Sequence, residues 1–479
     1  MMKICSIAFA LLLFVTACKN REGAGDNNKA DTVKNGLAFW LTDPDAGVLF
    51  KQQQPIPVTA ATQTNNPLIE INERNTFQSI DGFGYTLTGG SAQHLYNMSA
   101  AARAAILKEM FASDSNNIGT SFLRISIGAS DLDAQTFSYD DLPNGQTDTS
   151  LQKFSLAPDK QYLIPILKEI LAINPHIKLL GSPWSPPAWM KTNDSTKGGS
   201  LKPAYYDAYA RYFVKYIEGM KAEGISIYAI TVQNEPLHPG NNPSMLMLPN
   251  DQATFVKNNL GPSFEAAHIH TKIIVYDHNA DRPDYPLTIL NDAAAAKYID
   301  GSAFHLYAGP IDTLTAVHNA HPGKNLYFTE QWIGAPGNLK GDMGWHIKTI
   351  IIGATRNWCK TALEWNLAAN SALEPHTPGG CTECLGALTI DGDVVKRNPA
   401  YYVIAHAAKF VKPGAVRVES NIVSQLPNAA FKNTDGTMAL IVLNDSNSGQ
   451  NFSIKSGSRF FNCHLNAGAA GSFIWQSGN

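Results

Sequence analysis

Charge is scarce in this chain. Asp, Glu, Lys and Arg make up 16% of its 479 residues, and the formal net charge is −3. No dense Lys/Arg run follows the N-terminal segment, so nothing in the sequence calls for a nucleic-acid or polyphosphate partner. Cysteine is as sparse, six in all. With a single close pair, the cysteines fall short of the roughly four ligands of a zinc site. His94, His238 and His278 lack the spacing of metal ligands, and no metal or other cofactor is expected. Gly82 and Gly84 do not complete a G-x-G-x-x-G loop at a helix start, and they read as close-packed strand glycines. No apolar run is long enough to span a bilayer; the longest, residues 4–15, is about a dozen residues, the length of a signal-peptide core.

That run has a meaning of its own. It ends in Val15-Thr16-Ala17-Cys18, the pattern of a bacterial lipoprotein signal peptide (1–17), with Cys18 as the lipidated first residue of the mature chain. An ordinary secretory leader is the simpler alternative. Residues 18–36 are polar and rich in Gly, Asn and Asp, which suits a flexible tether. The expectation is an exported outer-membrane lipoprotein, on the cell surface or the periplasmic face, held to the membrane at Cys18. In an exported protein Cys381 and Cys384, three apart in a Gly/Pro-rich loop, are a possible disulfide.

Beyond the tether the texture changes twice. Residues 37–75 hold short strand-like pieces that do not alternate with helices. From there to residue 408, eight strand candidates (80–84, 121–127, 178–183, 228–233, 272–276, 302–307, 326–330 and 362–365) are separated by helical stretches. These include 99–111, 162–173, 203–222, 293–298 and 345–358. Eight strand–helix units in succession specify a (β/α)8 TIM barrel, an α/β fold. Residues 409–479 return to short strands at roughly ten-residue spacing, the pattern of an antiparallel β-sandwich, which the strands before the barrel complete.

Two carboxylates stand at the ends of barrel strands. Ile230-Thr231-Val232-Gln233-Asn234-Glu235-Pro236 and Asn325-Leu326-Tyr327-Phe328-Thr329-Glu330-Gln331-Trp332 each run from a buried strand into a glutamate. A barrel keeps its chemistry at that end of its strands, and two facing carboxylates are the equipment of glycoside hydrolysis. Arg124, inside a strand, requires buried acceptors. Trp184 and Trp189, in a proline-stiffened loop after the third strand, suit stacking on a sugar; His305, Tyr307, Trp332 and Trp365 lie at or beside other strand ends. Asp131, Asp133, Asp140, Asp141, Asp391 and Asp393 sit in Gly/Pro/Ser-rich loops and read as turn formers.

The stretches Ile80-Asp81-Gly82-Phe83-Gly84, Leu123-Arg124-Ile125, Ser182-Pro183-Trp184-Ser185-Pro186-Pro187-Ala188-Trp189-Met190-Lys191-Thr192-Asn193, Gln233-Asn234-Glu235-Pro236, Phe328-Thr329-Glu330 and Trp365-Asn366-Leu367 occur in the order found in glycoside hydrolase family 30. The chain resembles that family, which contains the glucosylceramidases and the endo-β-1,6-glucanases, from about Leu37 onward. The resemblance implies a retaining (β/α)8 barrel with a side β-sandwich, Glu235 as acid/base and Glu330 as nucleophile. It also implies Asn234 at the sugar 2-hydroxyl, and Arg124, Trp184, His305, Tyr307 and Trp365 along the sugar subsite. Gly89 stands where glucosylceramidases carry an Asp that grips a terminal glucose, and Leu306 where they carry Trp. These departures favour an endo-β-1,6-glucanase of bacterial type, acting on a β-glucan polysaccharide or oligosaccharide. The alternatives are an exo-acting β-glucosidase or glucosylceramidase, and a non-catalytic glycan-binding lipoprotein.

Overall fold

The computed structural model describes residues 36–59 and 66–478. The leader, Cys18 and nearly all of the tether lie outside them. Among the described residues no helix is long and apolar enough to cross a membrane.

The eight strand candidates form a closed, wholly parallel barrel: β1 (Gly82–Leu87), β2 (Phe122–Ser126), β3 (Lys178–Ser182), β4 (Ala229–Thr231), β5 (Lys272–Asn279), β6 (Ile299–His305), β7 (Asn325–Glu330) and β8 (Cys359–Asn366). Gly84 is required on β1, because a Cβ there would lie 1.8 Å from the carbonyl oxygen of Phe122. The helices outside follow local signals. Ser99 caps Ala100–Phe111 by accepting the Ala102 N–H, and Pro203 opens the turn leading into Tyr206–Ala222.

Because side chains alternate along a strand, the barrel interior is built in levels. One level is apolar, with Phe122, Leu180, Ala229, Ile274, Ala303, Tyr327 and Leu363 packed together. Below it, toward the strand N-termini, Asp81 accepts from Lys178 Nζ at 2.7 Å and from the Tyr228 hydroxyl at 2.8 Å. Asp300 similarly pairs with Lys272 at 3.0 Å. Two residues further along the strands comes a polar level, and the site is built there.

The chain flanking the barrel forms a second, ten-stranded sheet around its own apolar core. Three differences from the sequence reading appear here. The strand Leu68–Ser79 runs past the expected boundary at residue 75, pairing Ser79 with Val416, so the first residues assigned to the barrel belong to the sandwich. The same strand pairs in parallel with Gln450–Ser456, so the sheet is not purely antiparallel. The strand Arg459–Leu465 was not expected, since its Arg, Asn and His break the apolar signal. The buried helix Pro399–Ala408 joins the two units. Its His406 lies between the hydroxyls of Thr42 and Ser472, each 2.8 Å away, and burial pushes the imidazole down to about 3.

Candidate active site

Arg124 is the hub of the polar level. It is fully buried, and it donates to Glu330 Oε2 at 2.6 Å, Asn234 Oδ1 at 2.6 Å, Asp277 Oδ2 at 2.9 Å and Ser182 Oγ at 3.1 Å. A guanidinium buried this way is stable only because carboxylates neutralise it. The indoles of Trp184 and Trp365 cover it, at 4.7 and 5.8 Å from the guanidinium carbon to the ring centroids.

Three breaks in strand register bring the other groups inward. Ala303 pairs with Tyr276 but Phe304 with His278, leaving Asp277 as an extra residue; Thr329 and Trp365 are skipped in the same way on β7 and β8. Such bulges re-aim side chains at barrel rims. Tyr276 and Asp277 have φ of 74° and 68°, and Glu235 has φ of 43°. These left-handed conformations are costly for residues with a side chain and concentrate at functional sites. The Glu235 N–H donates to the carbonyl of Asp277 at 3.0 Å, so the two strained segments hold each other.

Asp277 accepts from Arg124, Ser182, Thr231, Thr329 and His305. Burial opposes its charge, but Arg124, His305 and Thr329 hold it well below the usual carboxylate range. His305 stands between the carboxylates. Its Nε2 is 3.1 Å from Asp277 Oδ1, and its Nδ1 is 3.3 Å from Glu235 Oε1 and 3.6 Å from Glu330 Oε1. Burial works against an imidazolium here, yet Glu330, Asp277 and Glu235 push the ring up to about 10.

Glu235 and Glu330 are both buried at the floor of a cleft of about 440 Å³. Glu235, Glu330 and His305 present an oxygen or nitrogen each within 4.8 Å of one another. By distance these three suit a cation, but a protonated His305 with both nitrogens facing carboxylates has no lone pair to give. Burial raises Glu235, yet the imidazoles of His278 and His305 hold it below the usual carboxylate range. Burial, with Glu235 and Asp277 opposite, raises Glu330 against the pull of His305 and Arg124. The Tyr307 hydroxyl donates to Glu330 Oε1 at 2.9 Å.

Nine of the ten expected site residues therefore converge: Arg124, Trp184, Asn234, Glu235, His305, Tyr307, Glu330, Trp332 and Trp365. Cys381 and Cys384 are joined by a disulfide that lines the same cleft. Other expectations need correction. Trp189 does not face the cleft; it is buried, with its indole N–H on the Asp140 carbonyl. In the same motif Lys191 is a structural tie, its buried ammonium reaching Ser185, Thr196 and Ser244. Gly89 lines a hollow beside Asp133, and a Cβ there would lie 1.7 Å from Asp133 Oδ1, so Asp133 occupies the space a side chain at 89 would take. Asp141 forms a turn as expected, accepting from the Ser138 amide and hydroxyl. Asp131 does not: it is buried in the cleft wall, where burial and Glu330 raise it to about 7. His278 and Asp277 were also missed, although Tyr276-Asp277-His278 ends an unbroken apolar run just as Glu235 and Glu330 do.

Comparison with known proteins agrees with this geometry. The Glycosyl hydrolase family 30 TIM-barrel domain matches residues 80–411, and the Glycosyl hydrolase family 30 beta sandwich domain matches residues 414–473. An endo-1,6-beta-D-glucanase of Neurospora crassa is 37% identical over 352 residues, 71% of this chain and 72% of its own length. The lysosomal acid glucosylceramidase of Mus musculus is 28% identical over 407 residues, 79% and 77% of the two chains. Among solved structures, the endo-beta1,6-glucanase BT3312 is 36% identical, with a TM-score of 0.84 over 92% of this chain and 100% of its own. The chain belongs to glycoside hydrolase family 30.

Proposed function

We propose that this protein is a retaining endo-β-1,6-glucanase. The observation that carries the mechanism is the spacing of the carboxylates, with an oxygen of Glu235 and one of Glu330 within 4.8 Å. Retaining glycosidases hold their carboxyl groups about 5–5.5 Å apart, whereas an inverting pair needs about 6.5–9.5 Å to admit a water. The substrate reading rests on the endo-1,6-glucanases among the relatives.

Glu330 attacks the anomeric carbon. Arg124 and Tyr307 fix its two oxygens, and both bonds strengthen the ionised form. Glu235 protonates the leaving oxygen. The source of that proton is the imidazolium of His305, which its carboxylate neighbours favour and which is bonded to Glu235. A sugar covering the pair lowers the local dielectric, which favours the neutral form of the pair and moves the proton onto Glu235. After the glycosyl-enzyme forms, Glu235 takes a proton from the incoming water. Asn234, its carbonyl oxygen engaged by Arg124, offers its NH2 to the 2-hydroxyl. The half-exposed Tyr307 and Trp332 face the substrate, whereas Trp184 and Trp365 act from behind by confining Arg124. No cofactor takes part.

Exo-acting hydrolysis of β-glucosides is the second reading. The glucosylceramidases among the relatives favour it. Products on a linear β-1,6-glucan separate the two. Early gentio-oligosaccharides of mixed length support endo action; glucose alone, or turnover of an aryl β-glucoside only, overturns it.

Export and lipidation at Cys18 are proposed from the sequence Val15–Cys18 alone, with outer-membrane attachment of a bacterial protein as the consequence. Retention of Cys18→Ala in the membrane fraction, with no loss of labelled fatty acid, would contradict it.

A further inference from the structure

The disulfide belongs to a loop that touches three other loops of the barrel mouth. Residues 374–385 follow β8. Toward the loop after β2, Thr377 N–H donates to the Asp131 carbonyl at 2.9 Å and Cys381 N–H to Asp131 Oδ2 at 3.2 Å. Gly380 packs so closely there that a Cβ would lie 2.4 Å from the same carbonyl. Toward the loop after β4, Asn242 Nδ2 donates to Pro378 O at 3.1 Å, and the Thr377 hydroxyl donates to Asn242 O. Toward the loop after β7, Cys384–Leu385 pairs with Ile333–Gly334, directly beyond Trp332. Trp332 and Cys381 pack on a small buried cluster that contains Cys384.

We infer that the Cys381–Cys384 loop is a positioning element for the glucan subsite. It sets Asp131 and Trp332 at the cleft edge to receive a glucosyl unit beside the carboxylate pair. This rests on the glucanase reading. Recognition of a sugar needs a polar group and an aromatic face held at fixed separation, and each is carried by a different βα-loop. Ordering these loops on binding costs affinity, and pre-ordering them by a cross-linked fourth loop removes that cost. The disulfide turns the backbone so that the Cys381 amide faces Asp131, while Cys384 stays paired beside Trp332. The Cys381 amide also lowers the Asp131 carboxyl, opposing burial and Glu330.

The test is a double-mutant cycle on the full chain, using β-1,6-gluco-oligosaccharides and an aryl β-glucoside. In Cys381→Ala/Cys384→Ala the KM for oligosaccharides should rise about tenfold, with a smaller change in kcat and in the aryl glucoside KM. Asp131→Asn should give a similar rise, and the combined variant little more than either alone, since the loop acts through Asp131. Mild reduction of folded wild type, in which the remaining described cysteines Cys359 and Cys463 are buried, should reproduce the KM rise without any folding step. Additive effects, equal losses on both substrates, or a lowered melting temperature with unchanged kinetic constants would overturn the inference. Absence of wild-type turnover on any β-1,6-glucan would instead remove the substrate reading, and this inference with it.

Discussion

The two ends of the barrel are both polar, yet they differ in kind. At the N-terminal end, Asp81 meets two lysines and a tyrosine and Asp300 one lysine and a tyrosine, and those lysines are partly exposed. Charges there are balanced and near water, and although β6 breaks register at Asp300, neither aspartate is left-handed. At the C-terminal end Arg124 and His305 face Asp277, Glu235 and Glu330, all buried, on backbone that includes three left-handed residues and three register breaks. Polar interiors alone do not mark a site. Buried charge held by strained backbone does.

Substitutions at the two ends should separate accordingly. The largest effect is expected from Glu330→Gln, which keeps the shape and removes the attacking charge. Its kcat should fall at least about a thousandfold, with circular dichroism unchanged. Arg124→Met comes next: it strands Asp277 and Glu330 without a counter-charge, costing about 3–5 kcal/mol of stability in chemical denaturation as well as most of the activity. His305→Gln should act through pH. A histidine raised from 6.5 to about 10 contributes stability that is fully present below pH 6.5 and lost as pH rises through about 10. Melting temperature should therefore decline across that window in the wild type, and less steeply in the variant. The smallest effect belongs to the other end. Asp81→Asn should lower stability by about 1–3 kcal/mol while kcat per folded molecule stays unchanged. Loss of catalysis there without loss of stability would erase the distinction between the ends.

The sequence showed the regular parts of this molecule plainly. Apolar runs of strand length placed all eight barrel strands, and strand-end carboxylates pointed to Glu235 and Glu330. What could not be read is what departs from regularity. A bulge at Asp277 has no composition of its own, so 272–276 reads as a strand that has finished, and the aspartate that holds both Arg124 and His305 stays hidden. Asp131 and Asp141 look alike in a loop sequence, although one enters the cleft wall and the other closes a turn. Trp184 and Trp189 share one motif, yet only Trp184 packs on Arg124.

Two carboxylates as close as Glu235 and Glu330 should operate by double displacement. The most direct measurement is the anomeric configuration of the first product. Proton NMR should follow hydrolysis of a β-1,6-gluco-oligosaccharide from the earliest time points. The β-anomer should appear first, with the α-anomer following only at the rate of mutarotation. Initial release of the α-anomer would mean inversion, and would contradict the roles given to Glu235 and Glu330.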